Sequence, residues 1–118
     1  MEAYIVWEGI RENGETTVRM SADEELWANV PFYLDEVNHA SEFNWGYWGS
    51  GPAQLGYAIL RTYFEIVYGF SPTEAHFQAY KYHQNFKADF ISAWKTNTWL
   101  LTCTEIDLWL GGEKAGWF

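Results

Sequence analysis

The spacing of hydrophobic and polar positions changes period several times along the chain. Tyr4-Ile5-Val6-Trp7 and Thr16-Thr17-Val18-Arg19-Met20 are rich in β-branched and aromatic residues and flank Arg11-Glu12-Asn13-Gly14. Asn-Gly supplies the positive backbone angles of a tight turn, so these runs predict a β-hairpin. Ser21 ahead of Asp23-Glu24-Glu25 predicts a short capped helix over 22–28, interrupted by Pro31. Phe32-Tyr33-Leu34 and Val37 read as a third strand or an irregular connection into a glycine-rich stretch.

The period then becomes helical. Ser50-Gly51-Pro52 predicts a helix start, with Ser50 or Gly51 as cap, and Leu55, Ile59, Tyr63 and Ile66 form one apolar stripe over 52–68, ending at Gly69. Ser71-Pro72-Thr73-Glu74 opens a second helix over 72–94, whose seam is Ala75, Ala79, Tyr82, Phe86, Phe90 and Ala93. The short connection makes the two an antiparallel hairpin. Thr98-Trp99-Leu100-Leu101 is strand-like and able to join the N-terminal hairpin. Thr104 is placed to cap a last helix through Leu110, with Gly111-Gly112 as its stop. Strands, then helices, then a strand predict a single α+β domain over 1–118. An N-terminal antiparallel hairpin or small sheet would pack on the helix pair, with a short strand and helix to finish.

Composition adds two things to this picture. Phe, Trp and Tyr number eight each, more rings than so small a domain can bury, so several are expected at the surface, where they suit an interface or simply rim the core. Charge is divided unevenly. Residues 1–42 carry ten acids against Arg11 and Arg19, a balance of −8, whereas 43–118 carries six acids against five bases, −1; the whole chain is −9. Such a field repels phosphate backbones and attracts basic protein surfaces, or serves only as a solvated face. The lone Cys103 has no partner for a bridge, no apolar run reaches the roughly 20 residues that span a bilayer, and Met1-Glu2-Ala3 is neither basic nor apolar. The expectation is a cytoplasmic protein that binds neither membrane nor nucleic acid directly.

Candidate chemistry concentrates in the stretch from Phe43 to Leu55. Trp45, Gly46, Tyr47, Gly49, Ser50, Gly51 and Gln54 lead into a helix start that could hold an anion, or let the rings pack at a sharp turn. A P-loop lysine is missing, and Pro52 removes one amide. His76 and His83 are seven apart, too far to chelate one metal as an i, i+4 pair would; no metal or other cofactor is expected. His39, in a loop, is a conceivable general base and more simply a hydrogen-bonded loop histidine. Cys103 reads as a buried small residue, and Glu105 and Asp107 as neighbouring acids without an assignable pairing.

The block Asn38-His39, Phe43-Asn44-Trp45-Gly46-Tyr47-Trp48-Gly49-Ser50-Gly51-Pro52-Ala53-Gln54-Leu55, with Ala58-Ile59-Leu60, Phe86-Lys87, Trp99-Leu100-Leu101 and Ile106, resembles a small uncharacterised domain family of bacteria, phages and plasmids. That family's hallmark is aromatic-Glu-Trp-Gly-Tyr-x-Gly-Ser/Thr-Gly-Pro-Ala-Gln-Leu-Ala. The likeness covers roughly 38–110. Asn44 replaces its Glu, Trp48 a common Gly, and Gly56-Tyr57 its Ala-Leu; Asn cannot act as a base at that position. The resemblance implies a mobile-element setting rather than an activity. Small acidic domains in that setting often occupy host proteins, as anti-CRISPR and DNA-mimic proteins do. The leading expectation is a non-enzymatic inhibitor that meets a basic host protein or nucleoprotein surface through Asp23, Glu24, Glu25, Asp35 and Glu36, with Trp27 and Tyr33 as anchors. The alternatives are a small-ligand domain or enzyme using the 46–54 loop and His39, and a module that forms a homodimer through surface Trp and Tyr.

Overall fold

In the computed structural model, which describes residues 4–115, Asn13 and Gly14 take φ of 52° and 80°. This left-handed pair closes a tight hairpin of β1 (Val6–Glu12) and β2 (Glu15–Ser21) and sets its register, Glu12 opposite Glu15 and Trp7 opposite Met20. Met1–Ala3 and 116–118 lie outside the described residues. The 98–101 run is β4 (Thr98–Thr102) and pairs with the far side of β1, with Trp99 opposite Gly9. A two-residue β3 (Ala28–Asn29) completes an antiparallel sheet of order β3-β2-β1-β4. The fold is therefore α+β, with the sheet against the helices.

Strand alternation puts Trp7, Gly9, Val18, Met20, Trp99 and Leu101 on the face toward the helices. Gly9 is there for space: a Cβ would collide with the Trp99 indole, so the ring packs against the bare backbone. Trp94 stacks on Trp99 at 4.3 Å, and Trp45 meets it edge-on at 5.6 Å.

Residues 22–28 do not form the expected helix. Ser21 Oγ accepts from the amides of Asp23 and Glu24, and Asp23 Oδ1 from those of Glu25 and Leu26. The side chains that would start a helix instead close successive turns, Glu24 takes a φ of 63°, and the chain returns as β3. No regular third strand forms over 32–37; that segment is irregular.

The first helix, α1 (Ser50–Thr62), starts two residues early. Gly49 is its N-cap, without a side-chain bond from Ser50. Every residue from Gly51 to Thr62 is buried. A π-helical turn, Tyr63–Val67, follows, and its extra residue rotates the stripe: Tyr63 and Phe64 stay inside, while Ile66 leaves the seam and is 38% exposed. The second helix, α2 (Pro72–Asp89), begins at its expected cap, with Ser71 Oγ accepting from the Glu74 amide. Ala75, Ala79, Tyr82 and Phe86 are buried, but Phe90 is half-buried and the helix gives way to a 3₁₀ turn, Ile91–Ala93, before reaching Trp94. The last helix, α3 (Cys103–Ala115), is capped at Thr102 rather than Thr104. The Glu105 amide donates to Thr102 Oγ1, and Glu105 Oε1 accepts from the Thr102 amide, a reciprocal capping box. It continues through Gly111-Gly112, where a stop was expected. No helix among the described residues is long and apolar enough to cross a membrane.

Phe86 is fully buried and packs on Phe90 and Trp109. Phe86→Ala should cost about 3–5 kcal/mol in urea unfolding, whereas Ile66→Ala should cost under about 1 kcal/mol. Equal losses would place the seam wrongly.

Candidate functional site

A helix with no solvent face must still house its polar side chains, and α1 places Gln54, Tyr57 and Arg61 three and four residues apart on one side. All three reach segment 32–40. Gln54 Nε2 donates to the carbonyls of Phe32 and Val37, and its Oε1 accepts from the amides of His39 and Ala40. Arg61 Nε and Nη2 clasp the two Glu36 oxygens at 2.8 and 3.1 Å. The third nitrogen, Nη1, lies 3.2 Å from Glu65 Oε1, outside hydrogen-bonding angle. The Arg61 guanidinium lies 4.9 Å from the Tyr33 ring centre. Burial pushes the Tyr33 phenol up to about 12.

Tyr57 connects this pair to a histidine. Its hydroxyl is 2.6 Å from Glu36 Oε1 and 2.7 Å from His76 Nδ1. Glu36 is ionised against Arg61 and can only accept, so the one phenolic proton goes to it. His76 Nδ1 must then donate to Tyr57, which leaves Nε2 as an acceptor while the ring is neutral. Burial, and after it the bond to Glu36, hold the Tyr57 phenol far above its ordinary range. Burial also pushes Glu36 up, but the bonds from Arg61 and Tyr57 and the Arg61 charge outweigh it, so its carboxyl sits below the usual range. Beside this relay opens a pocket of about 380 Å³ whose walls are Asp35, Glu36, Pro72, Thr73 and His76.

His39 and His83 form a second cluster. Their Nε2 atoms are 3.0 Å apart, and His83 Nδ1 donates to the Tyr80 carbonyl at 2.7 Å. His83 therefore accepts and His39 donates. The ring centres are 5.2 Å apart, nearly as far as a collinear N–H···N bond allows, so the lone-pair axes do not converge on a third point as metal ligands would. Burial lowers the His83 pKa. Among the described residues no group of three or more His, Cys, Asp or Glu could hold a metal.

The glycine-rich loop carries its constraint at Gly46. That residue has φ of 89°, and a Cβ there would lie 2.7 Å from the Trp94 carbonyl oxygen. Gly49 and Gly51 are extended and helical; side chains crowd them, Tyr47 at Gly49 and Asn44 and Tyr47 at Gly51. Trp45 is buried, with Nε1 donating to the Thr96 carbonyl. Asn44, at the position where the resembled family has Glu, accepts from Arg11. Tyr47 and Trp48 are exposed, the latter beneath Lys87, and Ser50 is exposed.

The acidic candidates divide by role. Asp23 is a turn lock, its pKa lowered by the amides of Leu26 and Glu25. Glu36 is committed to Arg61, Tyr33 is half-buried beneath that guanidinium, and Trp27 packs under Arg19 with its N–H on the Glu24 carbonyl. Glu24, Glu25 and Asp35 are exposed. Cys103 is buried, its Sγ 3.4 Å from the Ile5 amide, and Asp107 accepts from the Tyr63 hydroxyl. Sequence reasoning missed both histidine clusters and the Arg61 clasp. The available signal was Gln54, Tyr57 and Arg61 recurring at helical spacing inside an otherwise apolar run.

Residues 7–112 match the model of a family described as a family of unknown function, DUF6166, in agreement with the resemblance to an uncharacterised domain family. No curated protein and no solved structure matches the chain.

Glu36→Gln removes the charge opposite a guanidinium that is only 4% exposed, and should cost about 3 kcal/mol, the lower end for a broken buried pair because Glu36 itself is partly exposed. A carboxyl whose folded pKa is depressed stabilises fully above its unfolded value, about 4.3, and loses that contribution as pH falls through the folded value. Wild type should therefore lose stability on acidification below that range more steeply than the variant, measured by urea unfolding at stepped pH. Gly46→Ala should lower the melting temperature, and Gly49→Ala much less, because only a flexible tyrosine stands in its way.

Proposed function

The chain belongs to this family of unknown function, DUF6166, and we propose that it is a protein-binding domain that docks an acidic, leucine-anchored face on a basic partner. The observation that carries the reading is Leu26. It is 79% exposed at the turn between β2 and β3, directly after Glu24 and Glu25. Four backbone amides tied to Ser21 and Asp23 hold that turn in one shape, so little ordering entropy is lost when it docks. Beside it runs a groove of about 250 Å³ lined by Ile5, Met20, Ala22, Ala28 and Ile66. Apolar surface supplies affinity on desolvation, and the flanking acids speed encounter and select for positive partners.

The net charge of −9 supports a narrower reading: the partner is a nucleic-acid-binding host protein or complex whose basic surface the domain occupies as an inhibitor. The resemblance to domains carried by phages and plasmids supports an anti-CRISPR-like or DNA-mimic setting inside the host cell. The small-ligand alternative is less well supported. Gln54 spends its amide on four backbone groups, and His39 Nε2 is engaged by His83.

Affinity capture from host lysate over a salt series, followed by pairwise Kd measurement with the captured protein, tests the reading. Leu26→Ala should weaken binding at least about tenfold, roughly 1.4 kcal/mol, without changing the melting temperature. Glu24→Lys with Glu25→Lys should slow association and flatten the salt dependence. A partner bound equally by wild type and Leu26→Ala, or failure to capture any protein, would overturn it.

A further inference from the structure

The charged side chains that line the pocket between segment 35–36 and the start of α2, Asp35 and Glu36, are both carboxylates. Glu36 has both oxygens occupied, by Arg61 and Tyr57. Asp35 is exposed and has no ion pair among the described residues, and no Lys or Arg lines the walls. His76, with Nδ1 donating to Tyr57, has Nε2 as an acceptor in its neutral form, and Thr73 contributes a hydroxyl. Behind the wall, Arg61 is shared by Glu36 and Glu65, and among the described residues no ion pair joins it to Asp35. The Thr73 hydroxyl can donate as well as accept, whereas the Asp35 carboxylate only accepts, so a ligand that pairs with Asp35 brings hydrogen-bond donors and a positive charge, and an apolar group would strand that carboxylate.

From this we infer that the Asp35–Thr73–His76 pocket is a receptor for a guanidinium group, supplied by an arginine side chain of the partner. A guanidinium presents five donors in a planar fork, so it can pair with the Asp35 carboxylate and still reach a ring nitrogen and a hydroxyl at other points of a 380 Å³ space. An ammonium is a compact point charge and satisfies fewer separated acceptors. The source of the guanidinium rests on the partner-binding reading above; the pocket's chemistry does not. Pocket and Leu26 loop are linked through the π-helical turn, since Ile66 lines the Leu26 groove and its neighbour Glu65 pairs with Arg61.

The probes are the peptides Ac-Gly-Arg-Gly-NH₂, Ac-Gly-Lys-Gly-NH₂ and Ac-Gly-Glu-Gly-NH₂, with agmatine as a free guanidinium, titrated into the full chain. The readout is the His76 ring nitrogens in long-range ¹H–¹⁵N spectra together with the Thr73 amide. The arginine peptide should shift these resonances saturably and more tightly than the lysine peptide, and the glutamate peptide should not. Asp35→Asn should weaken binding about tenfold and Thr73→Val less, both with unchanged melting temperature. No saturable shift at His76, or equal affinity in Asp35→Asn, overturns the pocket whatever Leu26→Ala does to partner capture. Agmatine binding as tightly as the arginine peptide, with partner capture indifferent to Asp35→Asn, overturns the assignment to a protein arginine and leaves a small-molecule guanidinium site.

Discussion

A helix enclosed on every side has no water to satisfy its polar groups, and this constraint on α1 organises the molecule. Each of its polar side chains needs a partner from the chain itself, because an unpaired buried donor or acceptor costs about 1–3 kcal/mol. Thr62 takes the Trp7 indole N–H from the sheet. Gln54, Tyr57 and Arg61 take carbonyls, amides and a carboxylate from segment 32–40. That segment has no strand or helix of its own, so its shape comes from one turn, in which the amides of Glu36 and Val37 donate to the Tyr33 carbonyl, and from the three side chains that grip it. The glycine-rich turn then feeds α1 into the space so enclosed.

The same arrangement sorts the acidic surplus. An arginine this deeply buried is tolerable only with carboxylates against it, and it takes Glu36 and Glu65 out of the free acidic surface. Glu12, Glu15 and Glu42 are also exposed, but two places set free acids beside other chemistry: Glu24 and Glu25 next to an exposed leucine, and Asp35 next to a histidine. Charge accounts for encounter and apolar or forked contacts for retention, and these two places combine the requirements differently.

Features that depend on neighbours in sequence were legible. Asn13-Gly14 closes its hairpin because few residues accept two positive φ angles, and Ser71-Pro72 starts α2 because cap and fixed φ act locally. The failures came where two local solutions compete. Ser21 and Asp23 are good helix caps and equally good turn closers, and pairing of Ala28 and Asn29 with β2 decided for the turn. Thr102 and Thr104 are both residues able to cap the last helix, and Glu105, three residues after Thr102, selects Thr102. The candidate site was barely legible: Glu36 finds Arg61 across 25 residues and His39 finds His83 across 44, and in a chain with sixteen acids no pattern marks which one a buried arginine takes. The helical spacing of Gln54, Tyr57 and Arg61 did mark a second polar face, but spacing alone does not distinguish a face turned to water from one covered by a loop.

The order of the sheet has a consequence for how the chain is made. β1 is flanked by β2, its neighbour in sequence, and by β4, which pairs Val6 with Thr102. The hairpin can close early, but the other edge of its most buried strand waits for a segment that leaves the ribosome after both long helices. Until then the Trp7 strand shows an unpaired row of amides and carbonyls, the kind of edge that recruits other chains. Assembly of this domain is therefore a late event in its synthesis, and the last strand acts as a latch: a chain that stops before Thr98 keeps the helices and the hairpin in its sequence and lacks the piece that joins them.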